Sequence, residues 1–332
     1  MTHQYRTVSS RRSDLLFINR QKRSFKELST APRIVDVLKW RVKDGFRKGL
    51  SDIDQIPSVK VNLDAIREGK DYLFWAGHST ILLNIEGKRI LIDPVLSNRL
   101  ATLKRENPID FSLSDLMPID YVLVSHNHID HIETRVLKYL KNSPRYLLPL
   151  GFDYLMKRFK IRNYITFDWY ESFSERDLEF IFVPAQHWSQ RGIFDRNRSL
   201  WGGWIIRTKN VSLYFAGDTG YCDIFKKLRR VYGKIDIAML PIGAYSPRWF
   251  SYKNHMSPYD ALKAFVDLHS EFMLPIHWGA FKLGQENTTE PIRRLFSLWE
   301  KERIDSERLI FLPVGGVLSL SGMSKTAVSS NG

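Results

Sequence analysis

The chain has 332 residues, 43% of them apolar and 13% aromatic, with a formal net charge of +14. That is enough apolar material for one large or two ordinary domains, and it excludes a chain without a core. The single cysteine, Cys222, excludes an intrachain disulfide and a cysteine-built zinc site.

Residues 1–30 are rich in Arg, Lys and Ser and lack periodicity, so they are read as mobile or draped over the surface. Residues 1–56 hold 13 Lys/Arg against 6 Asp/Glu, which places half of the +14 in this leader. Such charge can attract nucleic acid, an anionic membrane face or an acidic substrate. The opening residues lack the apolar centre of a signal peptide, and no apolar run is long enough to span a bilayer. The expectation is a cytoplasmic protein, either free or peripheral on a membrane surface. After Pro32, Ile34, Leu38, Val42 and Phe46 recur every four residues, with Arg33, Lys39, Lys43 and Arg47 mostly off that stripe. This predicts a basic amphipathic helix. Such a helix can lie on an anionic bilayer, but packing against its own domain is the more general use and the expectation here.

From residue 71 short apolar runs take over. Strands are predicted at Tyr72–Trp75, Thr80–Leu83 and Arg89–Ile92, with Glu86-Gly87 as a turn, and again at Tyr121–Val124. Val136, Leu137, Tyr139 and Leu140 have helical spacing. Further strands are expected at 178–183, 204–207, 211–215, 237–240, 272–276, 309–312 and 317–320, with helices over 222–232 and from Ser257 onward. Ser257-Pro258-Tyr259-Asp260 is a helix start, with Ser as N-cap, Pro in the first turn and an acid at the third position. This order suits two sheets face to face with helices outside: an α/β (α+β) fold, a four-layer αβ/βα sandwich. The organisation expected is a basic, partly helical leader over 1–70, a folded domain over 71–321, and a disordered tail over 322–332.

The chemistry concentrates in Ser125-His126-Asn127-His128-Ile129-Asp130-His131, directly after a predicted strand. Imidazole nitrogen and carboxylate oxygen suit zinc and its first-row neighbours. His126 and His128 can point one way and Asp130 and His131 the other, which suggests two metal ions side by side. Two ions need more ligands. His187, Asp218 and His277 each follow an apolar strand, and the glycines flanking Asp218 allow a close approach in which its two oxygens could bridge both ions.

Taken in order, His126-x-His128-x-Asp130-His131, His187, Asp218 and His277 resemble the ligand set of the metallo-β-lactamase superfamily. The resemblance implies the metallo-β-lactamase fold and two Zn2+ per chain, other first-row divalent metals being alternatives. It gives His126, His128 and His187 to the first metal, Asp130, His131 and His277 to the second, and Asp218 to both. Several further segments resemble the N-acyl-phosphatidylethanolamine-hydrolysing phospholipase D family over residues 71–320. They are Gly77-His78-Ser79-Thr80, Asp93-Pro94, Leu200-Trp201-Gly202, the Ala216-to-Cys222 run, the Pro241-to-Phe250 run and Ile276-His277-Trp278-Gly279. This resemblance implies a zinc-dependent phosphodiesterase that cleaves N-acyl-phosphatidylethanolamine to phosphatidic acid and N-acylethanolamine with metal-activated water, so that Asp130 and Asp218 are catalytic as well as metal-binding.

Other residues carry two readings each. His78 and Asp93 either orient ligands or are satisfied buried polar groups. His255 matches a family histidine near the substrate phosphate and either assists the leaving group or is a surface residue. Tyr245, Trp249 and Phe250 either line an acyl groove or pack in the core. His269 at a helix end and His3 in the leader are read as structural, and Cys222 as a packed thiol. A competing hydrolase reading is a soluble phosphodiester, phosphonate ester or lactone as substrate. A reading of another class, nucleic-acid binding or RNA processing, follows from the charge alone; no RNA-binding motif accompanies it, so a phospholipid and not a nucleic acid is the expected partner. Homodimerisation is left open.

Overall fold

The computed structural model describes residues 29–43 and 55–321, so all but the last two residues of the stretch over 1–30, expected to be mobile or draped over the surface, and the tail over 322–332 lie outside the described residues. Two helices come first, α1 (Ile34–Lys43) and α2 (Leu63–Arg67). Asn62 caps α2 by accepting the Ala65 N–H, and Ile66 on its inner side is fully buried.

The first sheet begins as an antiparallel meander of β1 (Tyr72–Trp75), β2 (Ile81–Ile85) and β3 (Lys88–Ile92). A small hairpin, β4 (Arg99–Leu100) and β5 (Leu103–Lys104), stands apart from it. Then β6 (Tyr121–Leu123), α3 (Thr134–Leu140), β7 (Arg145–Pro149), α4 (Asp153–Arg158) and β8 (Tyr164–Phe167) extend the sheet in parallel. The second sheet runs antiparallel through β9 (Ser172–Glu175), β10 (Leu178–Pro184), β11 (Gly202–Arg207) and β12 (Ser212–Phe215). After α5 (Ile224–Tyr232) come β13 (Ile237–Pro241), α6 (Arg248–Ser251), α7 (Pro258–Leu268) and β14 (Phe272–Ile276), the two strands adding in parallel. The chain continues through α8 (Glu290–Lys301) and returns as β15 (Val317–Ser319) to pair with β1. The orders are β15-β1-β2-β3-β6-β7-β8 and β14-β13-β12-β11-β10-β9.

Alternation explains the layers. On the first sheet Leu73, Trp75, Ile81, Leu83, Ile90, Ile92 and Leu123 face the second sheet, while Tyr72, Phe74, Leu82, Leu91 and Val122 face α3 and α4. Both faces are covered, which is why these strands read as continuous apolar runs. On the far side of the second sheet α5, α7 and α8 bury Phe225, Leu228, Phe265, Leu295 and Trp299. The predicted N-terminus of α7 is present as a capping box between Ser257 and Asp260, with Pro258 in its first turn.

Two expectations differ from the fold. The segment at 309–312 forms a single bridge, Leu309 to Met273, instead of a strand. Pro313 offers no N–H to continue a ladder, and Val314 bonds the carbonyl of Pro57 instead. The described part of the stripe does not pack inward: α1 has no buried residue, Ile34, Leu38 and Val42 are 72%, 54% and 89% exposed, and Phe46 lies outside the described residues. Trp40 makes the ring contact with the domain, stacking on Phe250 at 5.6 Å. Among the described residues, no helix is long and apolar enough to cross a membrane.

Trp204 ties the sheets together. Its ring lies 5.2 Å from that of Phe167 and 4.9 Å from that of Phe182, and its indole N–H donates to Val124 O at 2.9 Å, one residue before the histidine-rich loop. Trp204→Ala should destabilise the fold by about 3–5 kcal/mol, read as a lower urea midpoint; an unchanged midpoint would show that the ring is not part of the joint.

Candidate metal centre

The histidine-rich loop leaves the end of β6, between the two sheets. Asp93, which follows β3, accepts the Ser125 N–H at 2.7 Å through Oδ1 and the Ser125 hydroxyl at 2.5 Å through Oδ2. The same Oδ2 lies 2.6 Å from His131 Nδ1. Asp93 is fully buried, and burial pushes its carboxyl pKa up against the pull of His131. This network assigns tautomers. His131 donates from Nδ1 to Asp93, His126 donates from Nδ1 to Ser125 Oγ at 2.9 Å, and His187 donates from Nδ1 to Asn254 O at 3.0 Å. Each then keeps the Nε2 lone pair for the centre of the site.

All seven residues singled out as ligands come together. His126 Nε2 lies 2.7 Å from His128 Nδ1, which lies 3.3 Å from His187 Nε2. Asp218 Oδ2 completes that group, 3.9 Å from His126 Nε2 and 3.8 Å from His187 Nε2. The same oxygen is 3.2 Å from His131 Nε2, and Asp218 Oδ1 is 3.1 Å from His277 Nε2. Asp130 Oδ2 joins this second group, 3.6 Å from His131 Nε2 and 3.8 Å from His277 Nε2. Asp218 therefore touches both groups. It is carried by Gly217, whose φ of +61° and lack of a side chain permit the close approach: a Cβ there would stand 2.7 Å from Gly202 O and from Ser125 Cβ.

The donor set fits divalent cations. His131 Nε2, His277 Nε2 and Asp218 Oδ1 are buried without hydrogen-bond partners although they converge. Burial holds His126 and His187 well below the ordinary imidazole range, so both are neutral donors. Burial acts the same way on His131 and His277, yet Asp218 and Asp130 lift His131 well above its usual value and His277 to about 9. Two buried carboxylates, Asp93 and Asp218, and a third that is nearly so, Asp130, demand positive charge in one cluster, and a bound cation meets that demand more fully than protons on imidazoles.

His78 lies among these groups, its Nε2 3.2 Å from Asp130 Oδ2, and burial pushes it down to about 3. His78 and His277 both adopt left-handed backbone, φ +55° and +62°. They are locked together: the His277 N–H donates to His78 O at 2.8 Å and the His78 N–H donates to Trp278 O at 3.0 Å. Non-glycine residues held in this region are strained and tend to mark functional sites.

A cleft of about 430 Å³ opens on the cluster, lined by His128, Asp130, Asp218 and His255 and also by the apolar Trp40, Leu103, Phe250 and Leu283. His255 is 20% exposed, with Nδ1 3.8 Å from Asp218 Oδ2. Phe250 lines the cleft, but two companions named from sequence do not. Tyr245 is buried and donates its hydroxyl to Glu290 Oε1 at 2.7 Å, and Trp249 lies outside, beside α1. His269 ends α7 in left-handed conformation, and burial pushes the Cys222 thiol up to about 11, which suits a packed thiol. His3 lies outside the described residues.

Sequence reasoning gave no role to Ser125, Asn254 or the strap over 29–33. The Thr30 N–H donates to His187 O at 3.0 Å, and the Thr30 hydroxyl bonds Asn254 Oδ1. No spacing or composition signal marks such contacts.

A family model described as "Beta-lactamase superfamily domain" matches residues 88–278. The chain is 31% identical over 326 residues to "N-acyl-phosphatidylethanolamine-hydrolyzing phospholipase D 1" of Caenorhabditis elegans, covering 90% of this chain and 91% of that one. It is 35% identical over 242 residues to the yeast (Saccharomyces cerevisiae) "N-acyl-phosphatidylethanolamine-hydrolyzing phospholipase D, mitochondrial", covering 69% of this chain but only 52% of the yeast protein. Among solved structures, a metallo hydrolase from Ignicoccus hospitalis superposes with a TM-score of 0.58 at 22% identity, over 75% of this chain and 97% of that one.

Asp93→Asn should keep the fold and weaken metal affinity by about 10–100-fold, measured by competition with a chromophoric chelator. Wild-type affinity in that variant would reduce Asp93 to a core residue.

Proposed function

The chain belongs to the beta-lactamase superfamily, within the family of N-acyl-phosphatidylethanolamine-hydrolysing phospholipases D, and on that premise we propose which reaction this metal-dependent hydrolase performs. The reaction is hydrolysis of an N-acyl-phosphatidylethanolamine at the phosphodiester bond on the ethanolamine side, with water consumed and phosphatidic acid and N-acylethanolamine released. One observation carries the reading: a single cleft joins the histidine–aspartate cluster to an apolar, aromatic wall. A soluble phosphodiester needs the cluster only, whereas a lipid needs both.

His126, His128, His187 and Asp218 would hold one cation, and Asp130, His131, His277 and Asp218 the other. A set of imidazoles and carboxylates without thiolate suits zinc. Bound there, a pair of divalent ions lowers the pKa of water towards neutrality and offsets charge building on the phosphoryl oxygens. The protein's own residues do the rest. Ser125, Asp93 and the Asn254 carbonyl fix the ring orientations. His255 faces the cleft from the side of Asp218, where a ring N–H can meet the departing oxygen. Half-buried Lys282 lines the same cleft and suits a phosphodiester anion. Phe250, Trp40, Leu103 and Leu283 offer an acyl chain a surface that excludes water. The setting that fits is the cytoplasmic surface of a membrane.

Asp130→Asn keeps the shape of the side chain and removes its charge. Turnover, followed as N-acylethanolamine release from mixed micelles, should fall by about 100-fold or more, at or beyond the loss expected from an orienting partner alone. Chelation should abolish activity and added zinc restore it. Full activity in the Asn variant would remove Asp130 from the mechanism, and a wild-type enzyme that cleaves only a soluble bis-aryl phosphodiester would overturn the lipid assignment.

A further inference from the structure

The outward stripe of α1 is the feature that the catalytic site leaves unexplained. At about 100° per residue, Ile34, Leu38, Val42 and Val35 fall within an arc of about 100° on the helix surface. All four are exposed, Val35 by 56% and Val42 by 89%. The half-buried residues Asp36, Val37 and Trp40 lie on the opposite arc, towards the domain. Cations flank the stripe on both sides, Lys39 and Lys43 along one edge and Arg41 along the other. Asp36 is engaged by Arg33 at 2.9 Å, so it does not neutralise them. Trp249 of α6, 41% exposed, extends the apolar surface, forming a groove with Val35, Leu38 and Val42 while Lys43 Nζ lies 5.9 Å from its ring centre.

This face is continuous with the cleft. Trp40 on the inner side of α1 and Phe250, the neighbour of Trp249, stack on each other and together line the space that reaches Asp130 and Asp218. From the outside inward, the path runs along the exposed stripe, the aromatic stack and the histidine–aspartate cluster.

We infer that α1 is an interfacial helix: its Ile34–Leu38–Val42 face enters the surface of an anionic bilayer, Lys39, Arg41 and Lys43 meet the headgroups, and the cleft mouth is thereby held at the lipid surface. The proposal rests on the lipid reading above and deepens it by naming the docking surface. An apolar arc edged by cations is the pattern of helices that lie in the plane of a membrane interface, and each cation near an anionic surface adds to the attraction. A second protein copy would bring the same cations against each other, which disfavours self-association through this face.

The test uses the full chain and sedimentation with phosphatidylcholine vesicles, with and without phosphatidylglycerol. Wild-type protein should bind the anionic vesicles and be released by salt. Leu38→Asp/Val42→Asp, at exposed positions outside the cleft, should lower partitioning by about ten-fold or more and leave turnover of a soluble bis-aryl phosphodiester unchanged. Lys39→Glu/Arg41→Glu should lose binding at low salt and match wild type at high salt. Wild-type protein that ignores anionic vesicles, or variants that bind as it does, would overturn the inference. So would sedimentation velocity showing that the Asp variants split a dimer while vesicle binding stays the same. Vesicle binding that depends on these residues, without release of N-acylethanolamine, would sink the substrate assignment and support the surface.

Discussion

Three carboxylates set within one cluster of imidazoles are the constraint on which the rest of the structure depends. Asp93 and Asp218 are buried and Asp130 is nearly so at the edge of the cleft, at the junction of two sheets whose faces are otherwise apolar. Buried charge of this density is tolerated only where cations or close hydrogen bonds compensate it. The cluster therefore explains features that look separate: Ser125 bonded to Asp93 by both its N–H and its hydroxyl, a glycine beside Asp218, and two histidines held in left-handed backbone.

Much of this was legible in the amino-acid sequence because each cluster residue follows a strand. A strand covered on both faces reads as a short apolar run, and the polar residue that ends it stands out. Tyr121–Leu123 before His126, Leu178–Pro184 before His187, Ser212–Phe215 before Asp218 and Phe272–Ile276 before His277 all have this form. The strands that escaped notice include β8 and β9, the outermost strands of the two sheets, which carry polar or partly exposed side chains. With one neighbour each, they need no sustained apolar run, and the signal fades.

The side chains around the cleft were harder to read, for a different reason. Periodicity says that α1 has an apolar side; it does not say whether that side meets protein or something else. Trp40, off the stripe, stacks on Phe250 of the domain. Likewise the run from Pro241 to Phe250 was recognisable as a unit, yet which of its aromatics turns towards the cleft depends on the left-handed turn at Ala244 and on Glu286, which accepts the Tyr245 and Ser246 N–H groups. That turn sends Tyr245 to Glu290 and leaves Phe250 for the cleft.

The pairing of β15 with β1 has a bearing on synthesis. Tyr72 and Phe74 find their partners at Ser319 and Val317, near the far end of the described chain, and Gly315 bonds back to Trp75, three residues before His78. On the ribosome β1 must wait without its outer neighbour until residues 315–319 have emerged. Contacts so distant along the chain are slow to form, and an unpaired edge in the interval is a place where neighbouring nascent chains can join. An apolar, two-faced sheet of this kind is the part of the molecule that a chaperone would most need to shield.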